Sequence, residues 1–268
     1  MNTNRELDTL KDLVARGRDR DGVAIDATRR RTPYSYEEFC TNVWKAGNLL
    51  GHYGVHPGAR ASVAAGPKVA DSDGTHIDAA DPLLAILGAT LLGATVDLSP
   101  TSPVDSRALV LPWDWCERYE TSPVCSTIAY GGPPDEPDIT HFETELWSEN
   151  PIEPPEPVTP ETVAFVADGF ETATKEQTRY THESVLEVSR RLVDRHELDE
   201  TSQVGLAAPL DTVGTLIAGV LAPLSVGATV LLLEEDEASP ADISLVVTVD
   251  GDGDNCVSGP AVLDEFGK

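Results

Sequence analysis

Apolar and polar positions fall into blocks that switch period along this chain. The clearest set runs from Thr162 to Leu233. Val163-Ala164-Phe165-Val166-Ala167 is a short apolar, β-rich run that predicts a buried strand. A polar loop is expected from Asp168 to Thr181. An amphipathic helix then runs from His182 to Glu197, with Val185, Leu186, Val188, Leu192 and Val193 on one side. Gln203–Ala207 reads as a strand, Asp211–Ser225 as an apolar helix and Ala228–Leu233 as another strand. Alternating β and α units at this spacing predict a parallel sheet covered by helices. Ligands of such sheets sit beyond the carboxyl ends of the strands, so the loop after Ala167 is where function is sought.

The first half follows the same grammar. Arg5–Arg16 predicts an amphipathic helix and Gly22–Ala27 a strand. Ser35 and Glu38 have the spacing of a capping box before a helix carrying Phe39, Val43, Ala46, Leu49 and Leu50. That helix stops near Gly54, a residue suited to a left-handed turn. Arg60–Ala65 reads as a strand, Gly66–Ala80 as an acidic loop, and Asp81-Pro82 as a cap and first turn. An echo follows. Gly93-Ala94-Thr95-Val96 and Gly227-Ala228-Thr229-Val230 each come directly after an apolar helix and lead into a strand. The recurrence predicts an α/β fold of two related lobes, each a parallel sheet flanked by helices. The division is residues 1–130, a Pro- and acid-rich linker at 131–160, and a second lobe at 161–268. Ile243–Val249 is a final strand, and Gly251–Lys268 shows no clear pattern.

Charge changes this picture most. There are 46 acidic and 19 basic residues, a net of -27, spread along the whole length. In molar salt the screening length falls to about 3 Å, which removes most self-repulsion, so the surface reads as that of a soluble halophile protein. The competing reading is an acidic interaction surface. Nucleic acid and anionic membranes are excluded as partners, since the only basic run is Arg29-Arg30-Arg31. Cys40, Cys116, Cys125 and Cys256 lack CxxC spacing, which fits a reducing cytoplasm. Thr212–Leu233 is uncharged, but Gly214, Gly219, Pro223 and Gly227 interrupt it. It reads as helix, turn and strand rather than a membrane span.

Candidate chemistry is sparse. Asp71, Asp73, Asp78 and Asp81 share one loop, and Asp250, Asp252 and Asp254 alternate. A calcium loop counted from Asp250 requires a glycine sixth and a glutamate twelfth, where Asn255 and Ala261 stand, so solvated acidic loops are expected and no metal is assigned. His52 and His56 are separated by Gly54 and lack a third ligand. No GxSxG nucleophile elbow occurs. Trp113, Trp115, Cys116 and Tyr119 form an aromatic group that reads as packing or a lobe interface more than a ligand platform. The remaining candidate is the loop after Ala167. Gly169, Thr172, Thr174 and Lys175 are the residue types of a phosphate loop. Asp168, Glu171 and Glu176 put negative charge where phosphate oxygens would lie, a repulsion of about a few kcal/mol in a half-buried site.

Several stretches in one order carry a resemblance: Thr32–Phe39, Gly54–Arg60, Leu87–Pro100, Pro160–Phe165, Tyr180–Leu186 and Gly219–Val230. In series they resemble the N-terminal part of the adenylate-forming synthetases, the family of acyl-CoA synthetases, luciferases and peptide-synthetase adenylation domains. The resemblance implies an ATP loop rich in serine, threonine and glycine, ending in Pro-Lys-Gly, between Phe165 and Thr181. Here that loop is short, has one glycine and lacks Pro-Lys-Gly. The family's aromatic-His pair is replaced by Asp211-Thr212-Val213-Gly214. The adenine motif, the ribose aspartate and the lid with its catalytic lysine are expected beyond Lys268.

These readings lead to a pseudoenzyme with a vestigial phosphate loop and no catalytic residue, acting as a binding, regulatory or assembly partner in the cytoplasm. A protein partner or self-association is expected, because family members cover this half with further domains. The alternative is an active ATP-dependent carboxylate ligase half-enzyme, completed by a separate lid polypeptide. Only then are ATP, AMP or CoA expected as cofactors.

Overall fold

A computed structural model describes residues 7–27, 33–65, 80–168, 177–233, 243–251 and 255–267. The first half comprises α1 (Leu10–Arg18), β1 (Val23–Ala27), β2 (Tyr34–Ser35), α2 (Tyr36–His52), β3 (Arg60–Val63), α3 (Ala80–Leu91), β4 (Thr95–Asp97) and β5 (Ala108–Pro112). A 3-10 turn (Trp113–Arg118), β6 (Ser126–Tyr130), β7 (Thr140–His141) and α4 (Phe142–Ser148) lead to β8 (Val163–Asp168) and β9 (Gln177–Thr181). Then come α5 (His182–His196), β10 (Gln203–Leu206), α6 (Val213–Leu216), α7 (Ala222–Val226), β11 (Thr229–Leu232), β12 (Leu245–Thr248), β13 (Cys256–Ser258) and α8 (Val262–Phe266).

Two mixed sheets result, both dominated by parallel pairs. One has seven strands in the order β7-β6-β5-β3-β4-β8-β9, and the other six in the order β13-β12-β10-β11-β1-β2. Among the described strands only the β8–β9 and β1–β2 pairs are antiparallel. Seen from those hairpins the two orders match over six strands, and β7 is an addition to the seven-stranded sheet. The hairpins, however, are exchanged. β1–β2, from the start of the chain, pairs with β11, while β8–β9 pairs with β4. Each sheet therefore draws on both halves of the sequence. The helix-facing residues of both sheets, such as Ile25, Val204 and Val230 on one and Val63, Val96 and Phe165 on the other, join one continuous core with α1–α3 and α5–α7.

The echoed Gly-Ala-Thr-Val stretches have a common physical cause. Gly93 (φ +67°) and Gly227 (φ +93°) turn the chain left-handed after a helix, a conformation that a Cβ disfavours. Each then delivers a strand to its sheet, β4 and β11. The apolar helix expected over Asp211–Ser225 carries a π-turn at Ile217–Leu221 between α6 and α7. Pro223 lacks the N–H that a regular α-helix would give to Gly219, and widening the preceding turn accommodates the loss.

Other expectations need correction. The stretch expected as a polar loop to Thr181 ends in β9, an edge strand on β8. Residues 131–160, expected as an exposed linker, contain β7 and α4 with Phe142 and Leu146 buried. Lys11 Nζ donates to the carbonyls of Pro154 and Glu156, and Asn48 to those of Asn150 and Ile152, so the segment lies as a strap across α1 and α2. The patternless end holds β13 and α8. Ser35 does accept from the Glu38 amide at 3.1 Å. A reciprocal capping box is instead found at Thr9 and Asp12, which the sequence reading passed over. α1 starts at Leu10 rather than Arg5 within the described residues.

Candidate functional site

The carboxyl ends of strands from both sheets open on a common crevice. Ala64 and Ala65 follow β3, Leu98, Ser99 and Pro100 follow β4, and Pro209 and Asp211 follow β10. Trp115 and Tyr119, from the 3-10 turn after β5 and just beyond it, close one side of a space of about 340 Å³. Open α/β sheets bind their ligands at this kind of place. The aromatic group read as packing has both roles. Trp115, Cys116 and Tyr119 cover Ala64, Val104, Leu109 and Leu111 on the outer face of the sheet. Two of the same side chains line the crevice.

The chemistry of the lining is apolar and mildly acidic. Neither lysine nor arginine lines it among the described residues. Arg118 is near but lies over the Trp115 ring, 4.4 Å from its centroid. Burial raises the Tyr119 phenol above its ordinary pKa; Arg118 opposes the rise and Asp97 adds to it, so the hydroxyl remains a donor at neutral pH. Asp97 Oδ1 accepts from the Ser99 amide at 3.1 Å, shaping the turn after β4. At the start of α6, Thr212 Oγ1 accepts from the Thr215 amide at 3.2 Å, so the helix caps itself, with exposed Asp211 just ahead. Neutral or cationic groups with an apolar body fit such a lining. Among the described residues the lining offers an anion no cation, only the Tyr119 and Ser99 hydroxyls.

Gly169, Thr172, Thr174 and Lys175 lie outside the described residues, as do Glu171 and Glu176. Their flanks are placed. Asp168 ends β8 and Gln177 opens β9 directly opposite it, so the intervening eight residues join two hydrogen-bonded strand ends at the carboxyl edge of the seven-stranded sheet. Asp71, Asp73, Asp78, Asp252, Asp254 and Arg29-Arg30-Arg31 also lie outside the described residues. Asp81 is buried in the first turn of α3. His52 Nδ1 is 2.8 Å from Glu149 Oε1, and His56 Nδ1 is 3.0 Å from the Pro57 carbonyl, so the two histidines do not converge. No group of three metal-ligating side chains occurs among the described residues.

One residue with a built environment escaped the sequence reading. His182, the first residue of α5, is fully buried, and its Nδ1 accepts from the Leu10 amide at 3.1 Å. Its Nε2 has no hydrogen-bond partner among the described residues. Burial pulls its pKa down from 6.5 to about 4, with Asp12 opposing weakly. A histidine opening a helix gives no sequence signal of the amide, 172 residues away, that it serves.

Comparison with known proteins bears on the fold. No family model matches the sequence, and no curated protein matches it. Solved structures do match. The anthranilate CoA ligase AuaEII in complex with anthranoyl-AMP aligns with a TM-score of 0.70 and 16% identity, over 84% of this chain and 45% of that one. Apo MatB from Rhodopseudomonas palustris gives 0.68 and 13%, over 88% and 49%. The inhibitor-bound N-terminal domain of FACL13 from Mycobacterium tuberculosis gives 0.71 and 12%, over 90% and 70%. The chain spans about half the length of the first two. No helix among the described residues is long and apolar enough to cross a membrane. With its twin sheets and shared crevice, the chain has the fold of the N-terminal part of the adenylate-forming synthetases.

Proposed function

We propose that this chain is a catalytically inactive protein of adenylate-forming fold, acting as a binding, regulatory or assembly partner in the cytoplasm of a halophile. The observation that carries the reading is the lining of the crevice. Where two sets of strand ends meet, the described residues offer Asp211, Tyr119, Ser99 and apolar side chains, and no cation. A triphosphate bears about four negative charges, and holding them takes lysine, arginine, metal or open backbone amides. The loop after Ala167 supports the same conclusion by composition, since Asp168, Glu171 and Glu176 outnumber Lys175. Four cysteines, all free, fit a reducing compartment, and a net charge of -27 fits high intracellular salt.

The test is ATP–pyrophosphate exchange in molar KCl with a panel of aliphatic, aromatic and amino carboxylic acids. No exchange above the protein-free rate is expected, and acid-dependent exchange refutes the reading. One observation favours the second reading, an active half-ligase completed by another polypeptide. The crevice remains open, and at about 340 Å³ it would hold a small acyl or aryl group against Trp115 and Leu98. Exchange that appears only on adding a separate lid polypeptide decides for it.

A further inference from the structure

Most arginines of known surroundings are occupied. Arg16 and Arg20 donate to the Ser225 carbonyl near the end of α7, and Arg107 to that of Gly54. Arg191 pairs with Glu187 and donates to the Phe266 carbonyl, while Arg195 lies over the Phe266 ring. Two arginines differ. Arg60, at the start of β3, and Arg179, in the middle of β9, line one recess of about 380 Å³. The register places Arg60 beside Thr95, and Val166 beside both Asp97 and Arg179, so the two arginines share the outer face of the seven-stranded sheet. That face is opposite the one by which Ala61, Val96 and Phe165 enter the core. Neither arginine has a carboxylate partner among the described residues. Arg60 is half-buried, and its Nη2 donates to Gln177 Oε1, which fixes the guanidinium in place.

What sets these two apart is convergence: the other arginines named above are each spent on a carbonyl, a ring or a carboxylate, whereas Arg60 and Arg179 line one recess together. Two guanidiniums opening on one recess repel each other, and an oxyanion between them reverses the sign of that interaction. Arginine's planar fork suits carboxylate and phosphate, and a recess of this volume suits a small molecule. Its wall is apolar at Val163, Val166 and Pro157. The recess begins at the amino ends of β3 and β4, through Arg60 and Thr95, whereas the crevice lies at their carboxyl ends.

We propose that Arg60 and Arg179 form a binding site for a small organic oxyanion, a phosphate or a carboxylate, whose apolar part lies against Val163 and Val166. The site stands apart from the crevice and does not depend on how ATP chemistry there is decided.

The test is calorimetric titration of the full chain in molar KCl with inorganic phosphate, pyrophosphate and butyrate. The variants are Arg179→Ala, Arg179→Lys and, as a control outside the recess, Arg195→Ala. Saturable binding of at least one probe is expected, weakened about tenfold or more in Arg179→Ala, partly restored in Arg179→Lys and unchanged in Arg195→Ala. Binding of the phosphates alone assigns the ligand's charged group as phosphate, and binding of butyrate alone assigns it as carboxylate. Arg179 is exposed, so its replacement leaves the fold intact and the result interpretable. Absence of saturable binding, equal affinity in Arg179→Ala, or an equal loss in Arg195→Ala overturns the proposal.

Discussion

Protonating His182 should loosen the attachment of α1, and the size of the effect follows from its surroundings. The Leu10 amide donates to Nδ1, so the imidazole is neutral with its proton on Nε2. Adding a proton at Nδ1 would set two donors against each other at the positive end of α1. Burial is the dominant penalty and holds the folded pKa near 4, against 6.5 in an exposed histidine. The sign is then fixed. Between these values the unfolded chain binds a proton that the folded chain refuses, so the stabilisation is complete above pH 6.5 and is lost as the pH falls toward 4. From pH 7.5 to 4.5 the loss is about 2.5 kcal/mol, within a limit of about 3.4 kcal/mol. The assay is urea unfolding in molar KCl at both pH values, for the wild type and His182→Asn. Asparagine retains an acceptor oxygen for the Leu10 amide but does not titrate. Subtracting the variant removes the contribution of the carboxylates, and the wild type should lose about 2.5 kcal/mol more. Parallel losses, within about 0.5 kcal/mol, would refute the assignment of a buried neutral histidine.

Glycine substitutions in the central helix pair should have opposite signs. A Cβ on Gly88 would meet the Gly47 nitrogen at 2.7 Å and the Ala46 carbonyl carbon at 2.9 Å, and backbone cannot step aside. Gly88→Ala should cost about 1–3 kcal/mol despite better helix propensity, whereas Gly51→Ala, facing only Leu92 at 4.0 Å, should gain about 0.5–1 kcal/mol. Denaturant midpoints of the two variants check this. Cys40 is buried with its thiol pKa raised to about 12, and Cys116 is half-buried with its own raised to about 11. Iodoacetamide at pH 8, read by mass spectrometry, should modify both at least about tenfold more slowly than in the urea-unfolded chain. Raising KCl from 0.1 M to 2 M should lift the melting temperature by about 10 °C, because screening relieves a few kcal/mol of repulsion. An unchanged melting point would count against reading the -27 charge as a salt adaptation.

Legibility in the sequence followed burial. The runs 163–167, 203–207 and 228–233 are buried on both faces, so continuous apolar stretches mark β8, β10 and β11. β9 reads as loop because Gln177, Thr178 and Arg179 stand at a sheet edge and need no apolar alternation. α4 was hidden for a related reason: Phe142 and Leu146 are its only buried residues, set among glutamates. The exchange of hairpins had no local signature at all. Ile25 opposite Val230 is a tertiary pairing, and either sheet would have suited the same alternation. Of the site, Trp115 and Tyr119 are legible as an aromatic group but not as a wall, because the wall exists only once β3, β4 and β10 have been brought together. Arg60 and Arg179, more than a hundred residues apart in sequence, converge for the same kind of reason.

Hairpin exchange also sets an order of events during synthesis. β1 ends at Ala27, and its partner β11 begins at Thr229. At ribosomal speeds of about 5–20 residues per second, the first strands wait for about 10–40 s before their sheet exists. Through that interval an apolar edge at Ile25 is without its neighbour, so nascent chains of this protein should need a holding chaperone more than a chain of this length whose strands pair with near neighbours.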